Sequence, residues 1–176
     1  MRSVISSMAV SLDGYIAGPD GSPGWAEPGE ENFRVATDEV RTAGVHLLGR
    51  RLYETMLFWE TTEQHPSLGY STREFARVWR ALPKVVFSGT LPQVRGNARL
   101  ASAGVVEEIE RLRAEPAPGD IAVGGATLAA EAAAADLIDE YPARIHQVLL
   151  GGGTPFFARR ERPARLELVA SRTLTS

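Results

Sequence analysis

The chain has 176 residues, 44% hydrophobic and 23% charged, with a formal net charge of −3. That composition excludes a disordered chain, and the mixed charges leave no basic surface of the kind that binds nucleic acid. The absence of cysteine excludes a disulfide framework, a thiolate metal site and a cysteine nucleophile, and is in keeping with a reducing, cytoplasmic setting.

Length predicts a single α/β domain over 1–176. The apolar part of the N-terminus is too short for a signal peptide, and no run approaches the roughly 20 apolar residues of a membrane span. Arg2–Val10 reads as a first strand, followed by a loop rich in glycine and proline from Asp13 to Gly29. A loop of that length inside a compact domain is usually functional. Glu30–Ala43 has an apolar side of Phe33, Val35, Ala36, Val40 and Ala43 and reads as a helix ended by Gly44. Val45–Leu48 is a buried strand running into a helix that begins at Arg51–Trp59. Glu60–Thr72 is polar and irregular, and Arg73–Ala81 is helical, stopping before Pro83. Val85–Ser88 and Ala98–Ala101 are extended, Val105–Ala114 is an amphipathic helix, and Pro116–Gly119 is a turn. Ile121–Val123 is a strand and Ala126–Ala135 an alanine-rich helix of high intrinsic propensity. Ala143–Leu150 and Arg165–Ala170 read as successive strands with no helix between them. Strand–helix repeats followed by such a tail predict a mostly parallel sheet flanked by helices, with an antiparallel C-terminal edge.

Two junctions carry the chemistry. At Gly49-Arg50-Arg51 and at Gly124-Gly125 an apolar strand ends in glycine and continues into helix-forming residues. Unpaired backbone N–H groups at such a junction suit an anion, while Ser88 adds a small polar wall or caps a turn. Together they suggest a bound dinucleotide. The bland alternatives are a plain strand-to-helix turn with two solvated arginines, and a close helix–strand contact at the paired glycines.

Several motifs in order resemble the dihydrofolate reductase-like superfamily. They are Ser11-Leu-Asp-Gly14, Leu48-Gly-Arg-Arg51 with Tyr53-Glu54, Lys84-Val-Val-Phe-Ser88, Gly124-Gly125, Leu137-Ile-Asp-Glu140 and Leu150-Gly-Gly-Gly-Thr-Pro-Phe156. The nearer similarity is to the C-terminal reductase domain of the bifunctional riboflavin-biosynthesis deaminase–reductase (RibD), a 5-amino-6-(5-phosphoribosylamino)uracil reductase. The resemblance implies a three-layer fold, NADPH as cofactor, no metal and often a homodimer. It implies cofactor contacts from Ile16, Gly49, Arg50, Arg51, Ser88, Gly124, Gly125, Ala126, Thr127 and Leu128. Arg50 matches the contact to the 2′-phosphate, and Leu52 stands where a threonine is common. Asp13, Trp25 and Arg144 are the candidate substrate contacts, and Asp13, Glu30 and His146 the candidate catalytic groups. Arg144 and His146, two apart on a strand, share one face, either a cationic substrate wall or an outward polar surface. His46, His65 and His146 show no metal-ligand spacing. Relatives usually continue past Thr173 into another strand, so the edge is expected to be left open, to be covered by a partner chain, or to continue in a longer chain. The expected activity is NADPH-dependent reduction of a small pteridine- or pyrimidine-like heterocycle. The rival expectation is an NADP(H)-binding protein of the same fold without turnover.

Overall fold

The computed structural model describes residues 1–26, 29–61, 69–160 and 163–174. Pro28 of the first loop, His65, and the 62–68 part of the irregular stretch lie outside the described residues. Five parallel strands form the central sheet in the order β1 (Val4–Ile5), β7 (Asp120–Gly124), β4 (Ala43–Gly49), β5 (Lys84–Phe87), β6 (Ala98–Leu100). Strand β2 (Met8–Ser11) pairs in parallel with β8 (Ala143–His146), and β3 (Tyr15–Ala17) pairs antiparallel with β9 (Thr154–Pro155).

Alternation along the strands divides the interior into two cores. Val45, Leu47, Val85, Ile121 and Val123 point to one face, where they meet Val105, Ile109 and Leu112 of α4 (Val105–Ala114) and Leu128, Ala129 and Ala132 of α5 (Ala126–Ala134). Leu48 and Val86 point to the other face. There they pack against Tyr53 of α2 (Arg50–Met56), Phe75 and Trp79 of α3 (Tyr70–Ala81), and Phe33, Ala36 and Val40 of α1 (Glu30–Thr42). The result is the three-layer arrangement, with helices on both faces of a mostly parallel sheet, expected from the element order. Among the described residues, no helix is long and apolar enough to cross a membrane.

The second core holds a buried cation. Lys84 opens β5 under the end of α3, and its Nζ donates to the carbonyls of Trp79 (2.7 Å) and Leu82 (3.1 Å). The Trp79 carbonyl also accepts from the Leu82 N–H at the helix end (3.2 Å), so Lys84 adds a second donor there. Glu60 at 3.3 Å balances the charge, and the Trp79 ring centroid lies 4.9 Å away.

Four expectations need correction. The Arg2–Val10 strand is two, broken at Ser6–Ser7, because its halves take different neighbours: β1 pairs with β7, whereas β2 pairs with β8. Arg165–Ala170 forms no strand. It lacks a neighbouring strand, and Leu166, Leu168 and Val169 are exposed. The antiparallel element is instead the β3–β9 pair, and β8 is parallel to β2 and ends at His146 rather than Leu150. Gly44 does not end α1; it lies inside β4, where a Cβ would strike the Pro118 carbonyl and the Arg2 guanidinium.

His46, on β4, meets Trp79 edge-on with ring centroids 5.3 Å apart, and its Nδ1 is buried without a hydrogen-bond partner. Burial, reinforced by the Lys84 charge, lowers its pKa from 6.5 to about 4. The unfolded chain therefore takes up a proton before the folded one as pH falls. Stability linked to His46 is complete above pH 6.5 and is lost progressively toward pH 4. The loss should be on the order of 3 kcal/mol. Urea unfolding across this range should show that decline, and His46→Phe should flatten it.

Candidate functional site

Register in the central sheet sets three turns side by side. Leu48 is opposite Gly124, and Gly49 is opposite Phe87. The carboxyl ends of β5, β4 and β7 therefore finish at one level, and the chain leaves them through Ser88, Arg50 and Gly125. Ligands in open α/β sheets bind outside such ends.

At the β7 turn the two glycines have different jobs. A Cβ on Gly124 would lie 2.6 Å from Leu52 Cδ2 and 2.7 Å from His46 Nε2, so Gly124 is required by packing inside the protein. Gly125 has φ +95°, and a Cβ there would find only Leu52 Cβ, at 4.0 Å. Its outer side is an open backbone cradle. Gly125 is the N-cap of α5 and offers no capping side chain, so the first N–H groups of Ala126, Thr127 and Leu128 open toward that space. Leu52, the departure from threonine, serves as the packing partner beneath this turn.

At the β4 turn Arg50 is held from two sides. Its Nε donates to Glu54 (2.8 Å) and its Nη1 to Thr90 Oγ1 (2.6 Å). Arg51 is exposed and has no ion-pair partner among the described residues. Tyr53, one turn on, accepts from Arg95 N (2.7 Å) and so ties α2 to the loop that follows β5. Ser88 Oγ accepts from Thr90 N (3.2 Å) and Leu91 N (3.0 Å), shaping the turn that presents Thr90 to Arg50. Thr90 escaped the sequence reading; its signal was the Ser-Gly-Thr run after an apolar strand.

The loop side is joined to these turns through Ile16. Buried in β3, Ile16 packs with Val10 and Phe156, and Ala126 at the start of α5 borders the same cluster. Asp13 is a brace. Its carboxylate accepts from Ser11 Oγ (2.6 Å), Leu150 N (3.1 Å) and Gly151 N (2.7 Å), tying the first loop to the glycine-rich loop. The Ser11 hydroxyl is the leading cause that lowers its pKa, and the two backbone donors add to it. A carboxylate so held is an ionised acceptor at neutral pH, a poor place to store a proton. The Gly151–Gly153 loop thus touches the first loop.

The face of β8 turned toward α1 carries Arg144 and His146. Arg144 ion-pairs with Glu39 of α1 and donates from Nη1 to Ser7 Oγ (2.8 Å); Ser7 in turn donates to Glu39 (2.8 Å). Its charge is thereby committed. His146 meets Trp25 edge-on, ring centroids 5.5 Å apart at 88°. Burial first, and the Arg144 charge second, hold the imidazole below its usual pKa, so it is neutral at pH 7. Glu30 is exposed at the start of α1, about two and a half turns from Glu39 and thus on the other side of the helix. Asn32, two turns from Glu39, shares its side of α1. The structure therefore brings Trp25, His146, Arg144 and Glu39 to one wall and sets Glu30 apart. Glu39 and Ser7 were missed because their pairing spans distant parts of the chain, which no local pattern reveals. Among the described residues, no group of His, Asp or Glu is arranged to hold a metal ion.

A family model described as the RibD C-terminal domain matches residues 2–176. The chain is 28% identical to the uncharacterized protein YyaP of Bacillus subtilis, over 99% of this chain and 90% of YyaP. It is 29% identical to the uncharacterized protein YwjB of the same organism, over 95% of this chain and 89% of YwjB. A putative riboflavin biosynthesis protein from Shewanella sp. PV-4 superposes with a TM-score of 0.66 at 24% identity, covering 92% of this chain and 86% of that one. A diaminohydroxyphosphoribosylaminopyrimidine deaminase/5-amino-6-(5-phosphoribosylamino)uracil reductase from Thermotoga maritima superposes with a TM-score of 0.60 at 17% identity. That match covers 93% of this chain and 51% of the longer protein. These likenesses show a reductase-type fold.

The two glycines of the β7 turn should separate on substitution. Gly124→Ala forces a Cβ into Leu52 and His46, an overpacking cost of about 1–3 kcal/mol. Gly125→Ala meets open space but a backbone angle that L-residues avoid, a cost of about 1–2 kcal/mol. Denaturant unfolding should find both destabilised, and Gly124→Ala should unfold with altered Trp79 fluorescence because His46 must move.

Proposed function

We propose that this chain, which belongs to the RibD C-terminal domain family, is an NADPH-dependent reductase of a small pteridine- or pyrimidine-like heterocycle. The observation that carries the reading is the alignment of the β5, β4 and β7 exits, with the open cradle at Gly125 beside two arginines. A dinucleotide needs two anionic footholds at such spacing, and the residues present fit it.

The backbone of Gly125, Ala126, Thr127 and Leu128 would receive the diphosphate, with the Thr127 hydroxyl as a further donor. Arg50 and Arg51 would receive the 2′-phosphate that distinguishes NADPH from NADH, with Arg50 braced by Glu54 and Thr90. Ile16, buried beside Ala126, would give the nicotinamide an apolar wall. Bound NADPH supplies the hydride. Trp25 and His146 would orient the substrate ring, and the Asp13 brace would hold the two loops that exclude water.

A second reading, binding without turnover, draws support from a specific observation. Asp13 is an ionised brace and Glu30 faces away, which leaves His146 as the remaining candidate to pass a proton. Oxidation of NADPH over a panel of pterins and aminopyrimidines separates the readings: turnover supports the reductase, and binding without turnover supports the second.

Cofactor preference tests the common part. Losing one charge-assisted phosphate contact costs about 1.5–3 kcal/mol, roughly one to two decades in affinity. Arg50→Ala should weaken NADPH binding by that factor and leave NADH nearly unchanged in a fluorescence titration. Equal losses for both would remove Arg50 from the phosphate.

We also propose a homodimer. Ile145 of β8 is exposed, as are Leu149, Leu166, Leu168 and Val169, and β8 has one partner strand among the described residues. An apolar strand edge in water favours association. Light scattering should give twice the 19.0 kDa chain mass. A mass of one chain, unchanged on concentration, would rule the dimer out.

A further inference from the structure

We propose that the substrate wall is electrically neutral by construction: Glu39 cancels Arg144, so the site takes an uncharged heterocycle in preference to its carboxylated or phosphorylated counterpart. The inference rests on the reductase reading above and names the substrate class of the same site.

A free guanidinium on β8 would be a ready foothold for a carboxylate or phosphate. Here its charge is balanced. Arg144, Glu39 and Ser7 form a triangle: arginine to carboxylate, arginine to hydroxyl, and hydroxyl to carboxylate. The Arg144 and Glu39 side chains are only 18% and 30% exposed, so water screens their attraction weakly. An incoming anion at the guanidinium would lie beside the Glu39 carboxylate, whose repulsion offsets the attraction of Arg144.

The remaining groups suit a neutral ring. Trp25 Nε1 is buried with no hydrogen-bond partner, a donor that a carbonyl oxygen or ring nitrogen would satisfy. The His146 imidazole, edge-on to Trp25, offers one donor and one acceptor. The Asp13 carboxylate is used up by the loop N–H groups, and α1 begins with the acidic Glu30. Nothing in this set adds positive charge to the wall, and shape with hydrogen-bonding pattern remains to select the ligand.

Pterin and pterin-6-carboxylate form the probe pair, since the second adds one anionic group to the same ring system. Both are titrated by fluorescence at pH 7, with and without saturating NADPH, against wild type and Glu39→Gln. Wild type should bind pterin at least roughly tenfold more tightly than the carboxylate. Glu39→Gln keeps an acceptor for Ser7 but frees the guanidinium. It should bring the carboxylate to binding equal to or tighter than that of pterin. The double variant Glu39→Gln/Arg144→Gln restores neutrality without the ion pair. It should return the wild-type preference, and it carries the test if the single variant folds poorly. Wild type favouring the carboxylate, wild type binding neither probe, or a preference unmoved by freeing Arg144 would each overturn the proposal. The NADPH titration is read separately. Normal cofactor binding with any of those results removes this inference alone, whereas failure to bind NADPH removes the reductase reading beneath it.

Discussion

The register of β5, β4 and β7 is the constraint on which the candidate site depends. Parallel strands lie about 4.8 Å apart, so three neighbours ending at one level place their exits within about 10 Å of each other. The pairings Leu48↔Gly124 and Gly49↔Phe87 create that level edge. Both cores enforce it: slipping β4 by one residue would turn Val45 and Leu47 away from α4 and α5 and send His46 into their place. The packing that stabilises the sheet is thus the packing that aligns the turns. Gly124 and Leu52 show the same economy, because the contact between them both seals the second core and sets the backbone height at Gly125.

Around this edge, charge is distributed with opposite effects on the two sides. On the cofactor side the guanidiniums stay near the surface, Arg50 braced but exposed and Arg51 without an ion-pair partner among the described residues. On the α1 side the guanidinium of Arg144 is neutralised by Glu39 and Ser7. That division is in keeping with the proposed reductase, whose hydride donor is a polyanion.

Much of this was legible in the sequence where the signal was local. An apolar run closed by glycine marks β4 and β7 because a buried parallel strand needs continuous apolar residues and its exit needs room. Helix α4 keeps its predicted bounds because its amphipathic stripe begins after Gly104 and ends before a proline-rich turn. What was not legible depends on partners far along the chain. The break at Ser6–Ser7 follows from a change of neighbour, with Ser6 N bonded to the Glu140 carbonyl. The alternating Leu166 and Leu168 look like a strand, but alternation does not supply a neighbour. Asp13 looked like chemistry, and its bonds to Leu150 and Gly151 make it a brace. Glu39 looked like an ordinary surface residue of α1 until Arg144 closed on it.

The central claim is that the three strand exits act together as one NADPH cradle. Amide hydrogen exchange followed by mass spectrometry, with and without saturating NADPH, addresses it directly. The account predicts simultaneous protection of segments 49–52, 88–91 and 124–128, with little change in α4. Protection confined to one of these turns, or none despite NADPH being present in excess, would contradict it.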